Sequence, residues 1–241
     1  MDWRLIDTDI ADPYFVTAAD EAISQARKEK KVENTLHFYR RNPPTISIGR
    51  SRKIKDDINL DECKKNNVKI VRRITGGGTI YTDKKCLIYS LIFDKNYKQN
   101  LSSKSIFKNI CNSLTKALEK FQISTVYKPP NDILLNGKKI SGSAQIKKDN
   151  IILIHGTILL DTNLELMNLV LKKNTNFKVS TIYREMGFLP DIKETKEIIK
   201  KEFEIYFENN FKKKTFTSYE NNLIDKLMKE KYLNNQWNFI R

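Results

Sequence analysis

The chain has 241 residues, enough for one large domain with a buried core. Hydrophobic residues make up 39% and charged residues 30%, as in soluble globular proteins, and no apolar run reaches the roughly 18 residues of a membrane helix. Residues 1–7 lack the basic and apolar regions of a signal peptide, so we predict a cytoplasmic protein that has no membrane partner. The three cysteines, Cys63, Cys86 and Cys111, are too few and too widely spaced for a disulfide scaffold or a zinc cluster.

The formal net charge is +15, from 44 Lys and Arg against 29 Asp and Glu. Such an excess suits nucleic acid, an acidic protein partner or an anionic substrate. However, Lys, Ile and Asn are abundant throughout, and basic residues form only short runs such as 212–214. A general compositional bias and a binding surface explain the charge equally well, and both interpretations stay open.

Hydrophobic periodicity divides the chain into a strand-rich first part and a helical last third. In chain order it predicts strand 5–7, helix 13–30, strands 35–39 and 45–49, helix 59–67, strands 69–73, 79–81 and 87–93, helix 103–121, a hairpin of 132–135 with 138–141, a second hairpin turning at 148–150 into strand 151–160, and helices 164–171, 194–207 and 218–231. Asn136-Gly137 gives the clearest local signal, because both central residues of a type I′ turn need positive φ. The order of elements predicts an α+β fold, a mixed β-sheet with packed helices.

One glycine-rich segment, Arg72-Arg73-Ile74-Thr75-Gly76-Gly77-Gly78, follows a predicted strand and precedes another. Three glycines let the backbone approach a ligand closely and expose N–H groups as an anion nest, and two guanidinium groups add forked phosphate donors. The spacing matches neither a Walker loop nor a dinucleotide-binding loop. We interpret the segment as a phosphate-binding loop; the alternative is a flexible connection with exposed arginines.

A second segment runs from Lys139 through Ser141-Gly142-Ser143-Ala144. Small residues there would let a bulky ligand lie against the strand, and a lysine held as a point cation can bridge a carboxylate and a phosphate. Taken alone, however, the segment is better explained by solvent-facing lysines of a lysine-rich protein.

A third segment is His155-Gly156-Thr157. A single histidine beside an apolar strand is more often a hydrogen-bonded structural residue, and no Cys, Asp or second His lies at ligand spacing, so we predict no metal there. Cys86 stands at the head of an apolar strand, and we predict that it is buried and structural rather than nucleophilic.

Together and in this order, the segments resemble the lipoate–protein ligase A family of the biotin/lipoate ligase superfamily. The family pattern Arg-Arg-x-x-Gly-Gly-Gly-x-Val-Phe/Tyr-His-Asp is matched by residues 72–83, Asn-Asp by 131–132, Lys-x-Ser-Gly-Ser-Ala by 139–144 and His-Gly-Thr-Leu-Leu by 155–160. Residues 41–50 and 236–239 also resemble the family, so the similarity spans nearly the whole chain. It implies one catalytic domain over residues 1–241 with a class II synthetase/biotin-ligase-like fold, lacking the C-terminal accessory domain of many single-chain ligases.

The resemblance implies a two-step ligation in which lipoate and ATP give lipoyl-adenylate, and a lysine of a carrier domain then attacks it. It implies ATP and Mg2+ as cofactors, lipoate as substrate, Lys139 as the essential lysine and Asp132 beside the adenylate or its magnesium. The implied binding set for ATP and lipoyl-adenylate is Arg72, Arg73, Gly76, Gly77, Gly78, Thr79, Ile80, Tyr81, Asn131, Asp132, Ser141, Gly142, Ser143, Ala144, His155, Gly156 and Thr157.

The implied partners are apo lipoyl domains or an H-type carrier protein of glycine cleavage, and a separate accessory subunit in place of the missing domain. Thr82 departs from the family pattern, since it stands where histidine is usual.

Two other functions compete with the ligase. A similar octanoyl or lipoyl transferase would move the acyl group between carrier proteins; related transferases use a cysteine beside the Asn-Asp segment, and residues 122–128 contain none, which favours adenylate chemistry. A basic nucleic-acid-binding module would explain the charge, but it explains none of the ordered motifs, and no aromatic-rich RNA-binding pattern is present.

Overall fold

The computed structural model describes residues 2–98, 102–172 and 178–240. Its strands are β1 (Trp3–Ala11), β2 (Asn34–Arg41), β3 (Thr45–Ile48), β4 (Lys69–Arg72), β5 (Ile80–Thr82), β6 (Cys86–Asp94), β7 (Thr125–Lys128), β8 (Asp132–Leu135), β9 (Lys138–Lys148), β10 (Ile151–Leu159) and β11 (Phe211–Lys213). Its α-helices are α1 (Pro13–Lys28), α2 (Ile54–Asp57), α3 (Leu60–Lys65), α4 (Ser103–Glu119), α5 (Leu164–Val170), α6 (Ile182–Met186), α7 (Ile192–Phe207), α8 (Ser218–Leu227) and α9 (Asn235–Asn238). A 3-10 helix covers Lys95–Lys98, and a π-helical turn, Met228–Tyr232, follows α8.

Two sheets carry these strands. The large sheet has the order β11-β1-β2-β6-β10-β9-β8-β7, and the small sheet has the order β4-β3-β5. In the large sheet β1 is parallel to both β11 and β2, and every other pair is antiparallel. This mixed arrangement with packed helices confirms the predicted α+β class.

Helices cover both faces of the large sheet, as the side chains of β6 show. Its side chains alternate between the faces: Leu91 and Phe93 join the core formed with α4 and α7, whereas Ile88 and Ile92 pack against α1. A strand covered on both sides needs a continuous apolar sequence, and the first eight residues of β6 are all buried. Helix α1 begins at Asp12, whose carboxylate accepts hydrogen bonds from two backbone N–H groups of the first turn.

Several turns and helix ends differ in how well the sequence predicted them. Asn136 and Gly137 both have positive φ, 50° and 73°, which confirms the predicted hairpin turn. The predicted helix 218–231 was wrong in its last turn, where the chain becomes π-helical. Helices α2, α6 and α9 and strands β7 and β11 were not predicted, because each has five residues or fewer and too little sequence for a periodic pattern. Among the described residues, no helix is long and apolar enough to cross a membrane.

Candidate active site

A cavity of about 720 Å³ opens between the small sheet and strands β9 and β10 of the large sheet. Six of its lining residues carry positive charge on Lys or Arg side chains, and no described Asp or Glu lines it. The cations are Arg41, Arg73, Lys138, Lys139, Lys178 and Arg184. Another part of the wall is aliphatic, and consists of Ile80, Ile88, Leu159, Leu164, Met167, Leu171 and Val179. Such a lining suits a ligand with an anionic group and an aliphatic chain.

Most of the residues singled out in the sequence meet at this cavity. Those that line it are Arg73, Gly77, Gly78, Thr79, Ile80, Tyr81, Asn131, Lys139, Ser141, Gly142, Ser143, Ala144, His155, Gly156 and Thr157. The second and third segments come together because β9 pairs with β10, so that Ser143 lies opposite Gly156 and Ala144 opposite His155. The glycine-rich segment reaches the same place, since a Cβ atom at Gly77 would lie 3.6 Å from Cβ of Ala144.

Lys139 lies in the cavity wall beside a β-bulge. The pairing of β8 with β9 shifts between Ile133 and Leu134, which leaves Ile140 as an extra residue in β9. The Lys139 ammonium nitrogen lies 2.6 Å from Asp132 Oδ1, and the lysine side chain is 31% exposed. Gly142 makes room for it, because a Cβ atom there would lie 2.8 Å from Lys139 Cε. The structure therefore holds Lys139 as a partly exposed, oriented cation.

Asp132 lies outside the cavity lining and contributes its carboxylate to the ion pair with Lys139. In the part of the chain that the structure describes, no three His, Cys, Asp or Glu side chains form a metal-binding group. The role of Asp132 beside the adenylate or its magnesium therefore stays a prediction.

Arg73 stabilises the conformation of the glycine-rich loop through hydrogen bonds to carbonyl groups of the loop. Its guanidinium group donates hydrogen bonds to the carbonyl oxygens of Ser47 at 2.7 Å, Gly76 at 2.8 Å and Gly78 at 2.7 Å. Burial, together with the neighbouring charge of Arg41, lowers the pKa of Arg73 to about 9, so the group is still a cation at pH 7. Gly77 has φ of +88°, in the region that favours glycine. Gly76 lies in the same loop but outside the cavity lining.

The expectation that Arg72 contacts the ligand is not matched by its position, since Arg72 is fully buried and outside the cavity lining. Its guanidinium group donates to the carbonyl oxygens of Gly49, Arg50 and Arg52, and also to those of Trp237 and Asn238. Because all of these acceptors are main-chain atoms, Arg72 ties the loop after β3 to the C-terminal helix α9.

A buried acidic group next to the cavity, Asp20, was not predicted from the sequence. Asp20, on α1, is 3% exposed, and its carboxylate lies 3.0 Å from His37 Nδ1 and 3.3 Å from His155 Nδ1. The signal that could have revealed it is that Asp20, the first of two adjacent acids between Ala19 and Ala22, falls on the buried face of an amphipathic helix.

Arg41 was missed as well. It is 3% exposed, lines the cavity, and donates to the hydroxyl groups of Thr17 at 3.1 Å and Thr82 at 3.4 Å. Thr82, the departure from the family pattern, is therefore a buried partner of Arg41.

None of the chain's three cysteines lines the cavity, and all three are buried. Burial and the nearby Glu62 raise the pKa of Cys63 to about 11, and burial raises the pKa of Cys111 to about 12. The prediction that Cys86 is buried is confirmed, and burial raises its pKa well above the usual value. A protonated, inaccessible thiol is a poor nucleophile.

Comparisons with known proteins agree with this geometry. Residues 12–204 match the model of the lipoyl protein ligase A/B catalytic domain. The octanoyltransferase LipM of Clostridioides difficile (strain 630) is 32% identical to the chain over 98% of each protein. A crystal structure of lipoate-protein ligase A bound with ATP superimposes with a TM-score of 0.88 at 25% identity, over 99% of each chain. A Thermoplasma acidophilum protein of the lipoate ligase type, with bound lipoic acid, gives 0.85 at 25% identity, over 99% of this chain and 100% of the other.

Proposed function

The chain belongs to the lipoyl protein ligase A/B catalytic domain family, and from this premise we propose that it transfers an octanoyl or lipoyl group to a lysine of an apo carrier domain. The observation that carries the proposal is the cavity itself, which combines six cations and no described carboxylate with an aliphatic wall. An activated eight-carbon acyl donor has the matching chemistry, an apolar chain next to a carbonyl and an anionic leaving group.

In the proposed reaction the amine of the carrier lysine attacks the acyl carbonyl carbon, the bond to the leaving group breaks, and the amine loses a proton to solvent. Negative charge develops on the carbonyl oxygen during the attack. Lys139 would stabilise that charge, and this role is supported by the ion pair with Asp132 and the space above Gly142, which orient its ammonium group. The glycine-rich loop, which Arg73 holds in shape, would bind the anionic part of the donor, as its position in the cavity wall supports.

The first candidate donor is an octanoylated carrier protein. It is supported by the relative at 32% identity, which is called an octanoyltransferase. The transfer would pass the acyl group from the thioester of one carrier to the lysine of another, as in the transferase alternative weighed from the sequence.

The second candidate donor is an acyl-adenylate, and the buried thiols favour it. With no cysteine in the cavity wall, the chain has no accessible thiol to carry a covalent acyl intermediate. An adenylate needs none: the acid's carboxylate oxygen attacks the α-phosphorus of ATP, pyrophosphate leaves, and AMP leaves when the amine attacks. When bound, magnesium would neutralise phosphate charge, and Asp132 is the residue that would hold it.

One experiment distinguishes the donors. The purified chain is incubated with an apo lipoyl domain and with octanoyl carrier protein, or with octanoate or lipoate plus ATP and Mg2+, or with synthetic lipoyl-adenylate. The mass of the lipoyl domain is followed, and an acceptor whose target lysine is arginine is the matched control. Modification by octanoyl carrier protein alone identifies the transferase, and modification by free acid with ATP identifies the ligase. Modification by the adenylate alone means that a separate partner makes it, and no modification by any donor would refute the proposed function.

A further inference from the structure

Both histidines of the chain contact the same buried carboxylate. Asp20 Oδ1 lies 3.0 Å from His37 Nδ1, and Asp20 Oδ2 lies 3.3 Å from His155 Nδ1. The hydroxyl group of Tyr39 donates to Asp20 Oδ2 at 3.0 Å. Asp20 does not line the cavity, whereas Tyr39 and His155 do. The Asp20 carboxylate therefore reaches the cavity only through Tyr39 and His155, the two cavity-lining residues that contact it.

A chain of hydrogen bonds runs from His155 to the glycine-rich loop. His155 Nε2 lies 2.8 Å from Thr75 Oγ1, and Thr75 Oγ1 accepts a hydrogen bond of 3.0 Å from Arg73 Nε. The same guanidinium group donates to the carbonyl oxygens of Gly76 and Gly78. Asp20 is thus connected to the loop through three side chains.

The positions of the protons in this series of hydrogen bonds follow from the charge states of His155 and Asp20. Burial lowers the pKa of His155, although Asp20 raises it, so the ring is neutral at pH 7. Burial raises the pKa of Asp20, but hydrogen bonds from His155 and His37 hold it well below its usual value, so the group is a carboxylate. A carboxylate only accepts hydrogen bonds, and a neutral imidazole has one donor nitrogen and one acceptor nitrogen. The proton of His155 must then be on Nδ1, and Nε2 accepts from the Thr75 hydroxyl group, which leaves the lone pairs of Thr75 Oγ1 for Arg73.

We propose that Asp20 is a positioning residue, which fixes His155 in the Nδ1–H tautomer and through Thr75 holds Arg73 and the glycine-rich loop in the donor-binding geometry. The role in donor binding rests on the proposed function, but the tautomer does not. Asp20 also supplies a negative charge below a cavity in which Arg41 and Arg73 are both buried cations.

Nitrogen NMR tests the tautomer without any substrate. The chain has only two histidines, so ring 15N labelling gives two pairs of signals, and His155→Gln assigns them. We expect His155 of the unchanged protein to show the neutral Nδ1–H pattern. In Asp20→Asn the amide can donate to Nδ1, and we expect the proton of His155 to move to Nε2. An Nε2–H tautomer in the unchanged protein would overturn the proposal.

Kinetics test the consequence for binding. Asp20→Asn and Thr75→Val interrupt the same series of hydrogen bonds at different links, so we expect each to raise the KM for the acyl donor about tenfold with a smaller change in kcat. The double variant should be no worse than the poorer single variant, because both changes remove one connected interaction. Thr75→Val keeps Asp20 intact and serves as the test if Asp20→Asn does not fold.

Glu220→Gln is the matched control, because it neutralises another buried carboxylate, which lies on α8 and is paired with Arg4 of β1. We expect it to lower the melting temperature and to leave the KM and the His155 signals unchanged. If Asp20→Asn behaves like Glu220→Gln, Asp20 is merely structural and the proposal is wrong. If no donor is turned over although the Nδ1–H tautomer is present, the proposed function fails, and the proposed role of Asp20 in donor binding falls with it.

Discussion

At the scale of single residues, Lys139 and Arg72 are two cations of neighbouring motifs that differ in exposure and in bonding partners. Lys139 is partly exposed in the cavity wall and has one carboxylate partner, whereas Arg72 is buried and bonded to five carbonyl oxygens. An accessible cation can act on a ligand, whereas Arg72 lies outside the cavity lining and its charge is taken up by main-chain acceptors that belong to the fold. The two residues therefore predict separable effects on activity and stability.

Lys139→Met keeps most of the side-chain volume but removes the charge. We expect the acyl-transfer rate to fall by about 10²–10³-fold, the usual effect of losing one group that stabilises a developing oxyanion. Folding should persist, although Asp132 loses its partner. Single-turnover rates with the active donor measure the effect. Lys148→Met, at the exposed far end of the same strand, is the control, and equal rates for both variants would remove Lys139 from the reaction.

Arg72→Met should act on stability. It leaves buried carbonyl oxygens of the loop after β3 and of α9 without their charged donor, and each hydrogen bond to a charged group is worth about 1.5–3 kcal/mol. We therefore expect a loss of roughly 3 kcal/mol or more in the free energy of unfolding, measured by urea denaturation. As a control, Arg50→Met removes an exposed arginine and should change the free energy of unfolding by less than about 0.5 kcal/mol. A stable Arg72→Met protein that fails to bind the donor would return Arg72 to the binding site.

At the scale of elements, the glycine-rich loop lies directly on the end of β3. A Cβ atom at Gly49 would lie 2.2 Å from the carbonyl oxygen of Gly77, and the Arg50 N–H donates to Thr75 O at 3.0 Å. The loop therefore depends on a glycine outside its own motif. The motif alone could not reveal that contact, because Gly49 is more than twenty residues away in the sequence.

Alanine substitutions distinguish glycines that are needed for a close approach or a positive φ from one that is needed for neither. Gly49→Ala must displace the backbone of the loop, and Gly77→Ala places a side chain at positive φ, at a cost of about 1–2 kcal/mol. Gly76→Ala meets nothing within 4 Å and has no positive φ, so its stability should stay within about 1 kcal/mol of the unchanged protein. Thermal unfolding ranks the three variants. An equal loss for all three would mean that the loop does not have this conformation.

Long periodic elements were predictable from the sequence, whereas several of the shortest ones, such as β11, were not. The Asn136-Gly137 turn and the amphipathic helix α4 follow from local rules, since one needs positive φ and the other has apolar residues at helical spacing. Strand β11 has only three residues, and it is formed by pairing with β1 from the other end of the chain. Pairing of that kind is a property of the tertiary structure, and it leaves no periodic signal.

The same distinction applies to the cavity. Motifs on paired strands could be expected to meet, and Lys139, Ser143 and His155 do. Asp20 lies on a helix more than a hundred residues before His155, and only the packing of α1 on the sheet brings the two together. The available signal was that Asp20, unlike the adjacent Glu21, falls on the buried face of the helix. Arg72 and Arg73 are adjacent in the sequence, and nothing local tells which of them faces the cavity.

At the scale of the whole molecule, the net charge of +15 bears on partners. Six of the basic residues line the cavity, so part of the charge lies where an anionic donor would bind. The rest is spread over the chain, and a general compositional bias still explains it. Association kinetics can distinguish a docking role from such a bias.

If the charge guides an acidic carrier domain, lowering the ionic strength should speed association. We expect the association rate constant to fall about tenfold or more between roughly 20 mM and 500 mM NaCl, because salt screens charges separated by more than about 10 Å. Stopped-flow fluorescence with a labelled apo lipoyl domain measures it. A lipoyl domain variant with its surface acids converted to amides should show little salt dependence, which isolates the charge of the partner. A rate constant that is flat in salt for the acidic domain would contradict a docking role, and equally tight, salt-dependent binding of random oligonucleotides would favour a nucleic-acid partner instead.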